Sequence, residues 1–176
     1  LSLQLKSGKF IPFQGVFDSG GRKLKVLFSY NRTFKGNKAY PSGGSWTKDM
    51  RPDYTLSIWP EGITQKDAEE QEIITHVHFD AKYKVSHLTE IVGDDNLDLG
   101  EEKQELKKGN YKREDLLKMH AYRDAIRRTG GAYVLYPGTE SLQKSGFHEL
   151  IPGVGAFPVR PTRDNNGIAE LKAFVS

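Results

Sequence analysis

The amino-acid sequence predicts an α/β protein built around one β-sheet, and three observations lead to this class. Two segments in the middle of the chain alternate between apolar and polar residues, a segment with helical spacing follows them, and a short, wholly apolar strand comes next. This order is typical of a sheet covered by helices rather than of a helical bundle or a β-barrel. With 176 residues, 36% of them hydrophobic, the chain has enough apolar mass for a folded core.

The N-terminal third predicts a β-hairpin and then a loop. Lys9–Phe17 and Lys23–Tyr30 are rich in β-branched and aromatic residues, which favour strands. The segment between them, Asp18–Arg22, contains two adjacent glycines, so we expect it to form the turn. Asn31–Met50 is rich in Lys, Gly and Ser and has no hydrophobic period, which indicates a long loop.

Two alternating strands carry the most informative residues. Arg51–Trp59 alternates from Asp53 onward, with its apolar side chains on one face, and Pro60 ends it. His76–Lys84 alternates in the same way, and we expect its polar face to line a groove. That face holds five side chains: His76, His78, Asp80, Lys82 and Lys84. The acidic segment between the two strands, Glu61–Glu72, is predicted to be a solvated connection.

The second half of the chain predicts one helix followed by a buried strand. Arg113–Arg128 has apolar residues at helical spacing, and we expect Gly130 and Gly131 to end this helix. Ala132–Tyr136 is wholly apolar, as in a strand covered on both faces. Residues 86–112 are highly charged and are predicted to be a mobile excursion. Two further elements are predicted in the tail: a strand over Ala156–Arg160 and a helix over Asn166–Val175.

Composition excludes several classes of chemistry. The chain has no cysteine, so a disulfide framework, a thiolate nucleophile and a Cys-ligated zinc or iron–sulfur site are ruled out. No long apolar segment and no signal-peptide pattern is present, so we expect a cytoplasmic protein.

Charge is segregated: residues 1–60 hold ten basic against three acidic residues, and residues 61–115 hold eight against fifteen. A basic region of this kind suits contact with a polyanion, although a solvated surface is the commoner meaning.

The two alternating strands also predict a candidate metal site. If they pair, Asp53 near the start of one and Asp80 in the other share a face, with Lys82 two residues further on. Two carboxylates with room for water suit Mg²⁺, and the backbone carbonyl of Ala81 offers another oxygen ligand. Lys82 would stabilise negative charge on an attacked phosphate. On spacing alone, an Asp-x-Lys pair is more often a surface ion pair.

Pro52-Asp53 and Asp80-Ala81-Lys82 on successive strands resemble the signature of PD-(D/E)XK nucleases, the restriction-endonuclease-like superfamily. Four blocks extend the likeness to the nuclease domain of McrC-like and LlaJI-like restriction proteins, from about Phe10 to about Gly138: Arg51–Asp53, Phe79–Tyr83, Asp115–Ile126 and Gly131–Gly138. The resemblance implies a restriction-endonuclease-like mixed central β-sheet flanked by helices. It also implies a single nuclease domain over residues 1–176, with its core at about 9–138.

The resemblance further implies a Mg²⁺-dependent DNA endonuclease of a restriction or phage-defence system, with Mn²⁺ as a substitute ion. Asp53 and Asp80 would be metal ligands and Lys82 the catalytic lysine. A separate AAA+ GTPase or ATPase would supply translocation, because this chain has no phosphate-binding Gly-x-x-x-x-Gly-Lys-[Ser/Thr] motif. Related nucleases often carry an acidic residue on a helix before the first strand. No such helix precedes the hairpin here, so we expect the chain to be a fragment of a longer protein.

Further residues are candidates for supporting roles. Lys118, Tyr122 and His78 are candidate auxiliary residues, although many McrC-like nucleases have Gln at the position of Lys118. Four residues are candidates for contacts with DNA: Trp46, Lys48, Arg51 and Lys84. Trp46 and Tyr40 would either stack on bases or fold back onto the core, and the sequence favours neither. Because duplex cleavage needs two cuts, a homodimer is also expected.

Two other functions remain open from the sequence. A catalytically silent DNA-binding or assembly module of the same fold would show no metal binding that depends on Asp80. A nuclease for RNA, or for single-stranded or branched DNA, would use the same residues on a different substrate. A hydrolase with no nucleic-acid substrate is a more distant alternative, and it predicts no salt-dependent binding to DNA.

Overall fold

The computed structural model of the protein describes residues 11–82, 117–136, 149–151, 153–159 and 168–175. The strands in these ranges are β1 (Ile11–Ser19), β2 (Arg22–Tyr30), β3 (Tyr54–Pro60), β4 (Thr75–Ala81), β5 (Thr129–Tyr136), β6 (Glu149–Ile151) and β7 (Val154–Pro158). The helices are α1 (Gln65–Glu70), α2, helical over residues 117–125, and α3 (Ala169–Val175). The sheet order of these strands is β1-β2-β3-β4-β5-β7-β6.

The sheet is mixed. β1 to β4 form an antiparallel meander, and β6 pairs antiparallel with β7. β4 and β5 run parallel, because the N–H of His76 donates to the carbonyl of Arg128 at 2.9 Å and the N–H of Lys82 donates to that of Leu135 at 2.8 Å. A mixed sheet with few helices confirms the predicted α/β class and agrees with a restriction-endonuclease-like fold.

The described residues fall into two compact units. The first contains those within Leu1–Asp80 and Ala121–Ala132, and the second those within Ala81–His120 and Tyr133–Ser176. In the first unit Leu27, Trp59, Ala68 and Ile74 form a buried apolar cluster, so α1 covers part of the sheet formed by β2 and β3. In the second unit Tyr133, Phe157 and Phe174 pack ring against ring, with centroids 4.8 to 5.4 Å apart.

The hairpin follows the prediction closely. Gly20 and Gly21 form the two-residue turn between β1 and β2, and both have positive φ, at 58° and 85°. This conformation is easy for glycine and strained for other residues, which is why the glycine pair fixes the turn. The side chain of Asp18 accepts a hydrogen bond from the N–H of Gly21 at 3.2 Å and closes the turn.

Glu61–Glu72 is not a simple connection, and that prediction was wrong. It contains α1, which begins after Thr64, whose hydroxyl accepts a hydrogen bond from the N–H of Asp67 at 3.1 Å. An N-cap threonine of this kind satisfies one of the free N–H groups of the first turn. The helix has only six residues, so its sequence is too short to display an apolar period.

The end of the predicted helix also differs in the structure. Helical residues end at 125, and Gly130 and Gly131 lie inside β5, which begins at Thr129 rather than Ala132. A Cβ atom on Gly130 would lie 2.8 Å from Cγ2 of Thr75 on β4. Glycine at this position therefore serves the close approach of two strands instead of a helix end.

The tail is described in part. β7 begins at Val154 and ends at Pro158, two residues earlier at each end than predicted, and β6 was not predicted. α3 confirms the predicted C-terminal helix within its described residues. The predicted mobile excursion at 86–112 and residues 113–116 of the predicted helix lie outside the described residues.

Candidate metal and nucleic-acid site

Asp53 and Asp80 each adjoin the last pair of the β3–β4 ladder. The antiparallel register pairs Thr55 with His78 and Tyr54 with Phe79, and Asp53 directly precedes Tyr54 while Asp80 directly follows Phe79. Directly opposed residues in such a ladder have Cα atoms about 4.5–5.5 Å apart and side chains on the same face. Asp80 is almost fully buried, and Asp53 is half-buried. If the register continued by one step, the two carboxylates would lie on the same face at the end of the β3–β4 pair.

The backbone around Asp53 is held on both sides. The carbonyl of Asp53 accepts a hydrogen bond from the N–H of Asn31 at 2.8 Å, and Pro52 is buried. The hydroxyl of Tyr122 donates to the carbonyl of Arg51 at 3.1 Å. Tyr122, a candidate auxiliary residue, thus positions the segment that carries Asp53.

Ala81 and Lys82 directly follow Asp80. Ala81 is the last residue of β4 and is half-buried, as is Lys82. The N–H of Lys82 donates to the carbonyl of Leu135 in β5 at 2.8 Å, so the backbone is fixed up to the lysine. Lys118, on α2, is half-buried as well.

The polar face of β4 is buried instead of lining an open groove. His76 and His78 have no exposed surface, and their rings lie 6.1 Å apart. Phe34, from the loop after β2, covers both of them, with its ring 5.2 Å from each. The loop between β2 and β3 therefore closes over this face of the sheet in the first unit.

Both ring nitrogens of His78 have hydroxyl partners. Its Nδ1 lies 3.0 Å from Oγ1 of Thr55, and its Nε2 lies 3.1 Å from Oγ1 of Thr129. The Thr129 hydroxyl donates to the carbonyl of Ile126 at 2.8 Å, so it accepts from Nε2–H, and Nδ1 accepts from Thr55. Burial lowers the pKa of His78 well below its ordinary value, so the ring is neutral. This candidate auxiliary residue lies in a closed polar core.

Sequence reasoning missed a buried cluster around Glu69, which it treated as solvated. Glu69 is 5% exposed, and its carboxylate accepts from Arg32 at 3.2 Å, from Arg128 at 3.1 Å and from Nε2 of His76 at 3.2 Å. The other ring nitrogen of His76 lies 2.9 Å from Oγ of Ser57, which also accepts from Arg32 at 3.0 Å. These contacts tie α1 to β3, to β4 and to the backbone that precedes β5.

The charges of the Glu69 cluster agree with its geometry. Burial alone would raise the pKa of Glu69, but the hydrogen bond from His76 and the charges of Arg32 and Arg128 outweigh it and lower the pKa. Burial lowers the pKa of His76 and exceeds the opposite effect of its hydrogen bond to Glu69. His76 is thus neutral, donating from Nε2–H to the carboxylate and accepting at Nδ1 from Ser57.

The loop residues proposed to contact DNA lie at the surface. Trp46, Lys48 and Arg51 are exposed, whereas Lys84 lies outside the described residues. Trp46 does not fold onto the core: its side chain and that of Tyr40 are each 55% exposed, and the two rings stack with centroids 5.7 Å apart. The guanidinium of Arg127 lies 4.5 Å from the centre of the Trp46 ring.

The donor atoms at the β3–β4 edge fit a divalent metal of the hard, oxygen-binding kind. Asp53 and Asp80 offer carboxylate oxygens, which are the ligand type that Mg²⁺ and Mn²⁺ prefer. Within the described ranges, no group of three or more His, Asp or Glu side chains is placed to hold a metal ion. A metal here would thus depend on two carboxylates, with the remaining positions left to water and substrate oxygens.

The fold defines an α/β protein with a mixed sheet in which two acidic residues, Asp53 and Asp80, adjoin the last pair of the neighbouring strands β3 and β4. The chain belongs to the PD-(D/E)XK nuclease superfamily, because the family model of that superfamily matches residues 1–141. The matched region includes Asp53, Asp80 and Lys82. The predicted membership of this superfamily is thereby confirmed. No curated protein and no solved structure matches the chain significantly.

A search of the described helices for membrane spans finds none. Not one of them combines the length and the apolar character that crossing a bilayer requires.

Proposed function

We propose that the chain is a metal-dependent endonuclease that hydrolyses phosphodiester bonds of DNA, with Asp53 and Asp80 as metal ligands and Lys82 as the catalytic lysine. The observation that supports this proposal is the β3–β4 register, whose last pair, Tyr54 with Phe79, is directly adjoined by Asp53 and Asp80. Membership of the PD-(D/E)XK nuclease superfamily supports a nucleic-acid substrate and a metal cofactor. The similarity of the sequence to McrC-like and LlaJI-like proteins extends the proposal to restriction or phage defence with an AAA+ motor partner.

The proposed reaction adds water to the phosphate. The water oxygen bonds to phosphorus while the bond from phosphorus to the leaving oxygen breaks, and that oxygen takes up a proton. The bound metal would lower the pKa of water and offset negative charge on the phosphate oxygens. Asp53, Asp80 and the carbonyl of Ala81 would hold it. The Lys82 ammonium would stabilise the charge that develops on the phosphate in the transition state.

The surrounding contacts support a site that is ordered before substrate binds. Tyr122 holds the carbonyl of Arg51, and the N–H of Asn31 holds that of Asp53. His78 and its two threonine partners fill the interior on the same face of β4 as Asp80. Carboxylates on a rigid backbone need little reorganisation when the metal binds, which is what efficient electrostatic catalysis requires.

Cleavage of supercoiled plasmid DNA with Mg²⁺ or Mn²⁺ tests the proposal. Asp80→Ala and Lys82→Ala are each expected to lower the cleavage rate at least about 100-fold, because each removes a charge used in the transition state. Asp124→Ala and Lys66→Ala are the matched controls, since both residues are exposed on helices, and they are expected to cut at the parent rate. Circular dichroism checks that each variant is folded.

Cutting by Asp80→Ala and Lys82→Ala at the parent rate would contradict the assignment. A catalytically silent module is distinguished by metal titration: it binds neither Mg²⁺ nor Mn²⁺ in a manner that depends on Asp80. A nuclease binds the ion through Asp80 even where a missing partner keeps cleavage slow.

A further inference from the structure

Two aromatic rings lie at the surface of the loop between β2 and β3, and we call Tyr40 and Trp46 the aromatic platform. The two rings are stacked, with their planes inclined by 22° and their centroids 5.7 Å apart, so Tyr40 supports one face of the Trp46 ring. The other tryptophan of the chain, Trp59, is 3% exposed and belongs to the core. An exposed Trp in a stacked pair is uncommon, because burial of such a ring favours folding by several kcal/mol, about 25 cal/mol per Å² of apolar surface.

One face of the Trp46 ring is open. Arg127 lies 4.5 Å from the Trp46 ring centre and 6.0 Å from that of Tyr40. Groups on opposite faces of one ring would be at least about 7 Å apart, which is twice a contact distance of ~3.5 Å. Tyr40 and Arg127 therefore do not lie on opposite faces of the Trp46 ring. The face of that ring opposite to them accounts for the exposed surface of Trp46.

The aromatic platform is held in place by the backbone beneath it. The N–H of Trp46 donates to the carbonyl of Ala125 at 2.7 Å, and the N–H of Arg127 donates to that of Gly44 at 3.0 Å. The Arg127 side chain is 6% exposed and donates to the carbonyls of Ser42 and Lys38 at 2.7 and 3.0 Å. The hydroxyl of Tyr40 donates to the carboxylate of Glu72. The rings are thus fixed before any ligand arrives, so little conformational entropy is lost on binding.

The charge of the loop indicates the kind of ligand. The loop, residues 31–53, holds five basic residues and two acidic residues, and Lys38, Lys48 and Arg51 are exposed. Of the two acidic residues, Asp49 is paired with Lys35 at 2.6 Å. Positive side chains next to stacked aromatic rings are the combination that binds single-stranded nucleic acid, since the charges attract phosphates and the rings stack on bases. A hydrophobic protein partner gains nothing from the charges.

We propose that the open face of Trp46, supported from behind by Tyr40, stacks on an unpaired base, so that the protein binds DNA where its strands are separated or distorted. This inference rests on the proposed function for the choice of DNA as ligand, and it narrows the substrate class of the same protein. A base inside a duplex is already stacked on both sides and offers no free face to the platform.

Tryptophan fluorescence tests this proposal in buffer that contains EDTA, where no cleavage takes place. The protein is titrated with a dT12 oligonucleotide and, separately, with a dA12·dT12 duplex. We expect dT12 to quench the Trp46 emission and the duplex to leave it nearly unchanged. In Trp46→Phe only the buried Trp59 emits, so the quenching is expected to disappear although the ring at position 46 still binds.

Affinity for labelled dT12, measured by anisotropy, supplies the second readout. Trp46→Ala is expected to weaken binding roughly 5- to 150-fold, the range found when one stacked base is lost, and Trp46→Phe to weaken it far less. Asn37→Ala, an exposed change in the same loop, is the matched control and is expected to bind like the parent.

Two outcomes overturn the inference: no quenching by dT12, or equal quenching and equal loss of affinity with the duplex. Both leave the nuclease proposal intact if Asp80-dependent cleavage is observed. Conversely, stacking of dT12 on Trp46 in a protein that shows neither Asp80-dependent cleavage nor Asp80-dependent binding of Mn²⁺ contradicts the nuclease proposal alone.

Discussion

At the scale of single residues, the buried histidine pair departs most from what the sequence suggests. An alternating strand with polar residues on one face predicts an exposed polar face, yet His76 and His78 lie fully inside. They are satisfied by Ser57 and Thr55 on the neighbouring strand, which are themselves polar residues of an alternating pattern. Polar residues that bind one another across neighbouring strands give the same alternating sequence pattern as polar residues that are exposed to water. Only the register between the strands, which is a long-range feature, distinguishes the buried arrangement from the exposed one.

The two histidines predict a pH dependence of stability. Both have folded-state pKa values below the ordinary 6.5, because burial disfavours the charged ring. Below pH 6.5 the unfolded chain binds protons that the folded chain does not. The contribution of the two neutral rings to the free energy of unfolding is therefore complete above pH 6.5 and decreases as the pH falls below it. Each ring contributes a slope of up to about 1.4 kcal/mol per pH unit. Urea unfolding between pH 7.5 and 5 measures this slope.

His78→Gln removes one of the two rings and is expected to reduce the slope by about half, whatever its effect on absolute stability. His120→Gln leaves both buried rings in place and serves as the control. A free energy of unfolding that stays constant from pH 7.5 to 5 would contradict the neutral, buried state of the pair.

At the scale of elements, α1 shows the limit of sequence patterns. The acidic composition of Glu61–Glu72 suggests a solvated connection, and the one local signal for a helix is Thr64 three residues before Asp67. Glu69 can be buried because Arg32 and Arg128, from distant parts of the chain, form ion pairs with its carboxylate. The hairpin and the existence of β3 and β4, by contrast, follow from turn glycines and alternation, which are local, although β3 includes Pro60 and β4 ends at Ala81 instead of Lys84.

Because Glu69 joins α1 to three other segments, its removal is expected to weaken the whole first unit. Glu69→Gln takes away the charge that balances two buried guanidinium groups, and breaking a buried ion pair in this way costs about 3–5 kcal/mol. Glu70→Gln is the matched control: that residue is exposed and lies 3.8 Å from Lys66, so its loss is expected to cost less than about 0.5 kcal/mol. Urea denaturation measures both free energies of unfolding.

Equal stability of Glu69→Gln and Glu70→Gln would show that the Glu69 cluster does not support the fold. Loss of stability in Glu69→Gln with an unchanged denaturant slope, the m-value, would fit the structure, because the folded and unfolded states would keep the same difference in exposed surface.

At the scale of the whole molecule, the sequence predicts the α/β class and the superfamily but not the complete order of the sheet. Parallel pairing of β4 with β5 joins segments about 50 residues apart, and no local sequence pattern predicts this pairing. Gly130 illustrates the difficulty, because a glycine after a helix suggests a helix end, whereas here it allows β5 to approach Thr75. The candidate site stays a prediction, which the sequence could make because Asp53 directly precedes one alternating strand and Asp80 lies in the next.

Binding of Mn²⁺, measured by electron paramagnetic resonance, tests the central claim most directly, because it needs neither substrate nor partner. We expect the parent protein to bind the ion, and Asp53→Asn and Asp80→Asn each to weaken the affinity at least about 10-fold, since even the loss of a residue that only supports a metal ligand weakens affinity by about that much. Asp124→Asn, an exposed change, is expected to bind like the parent. Parent-like affinity in both Asp53→Asn and Asp80→Asn would contradict a metal site shared across β3 and β4.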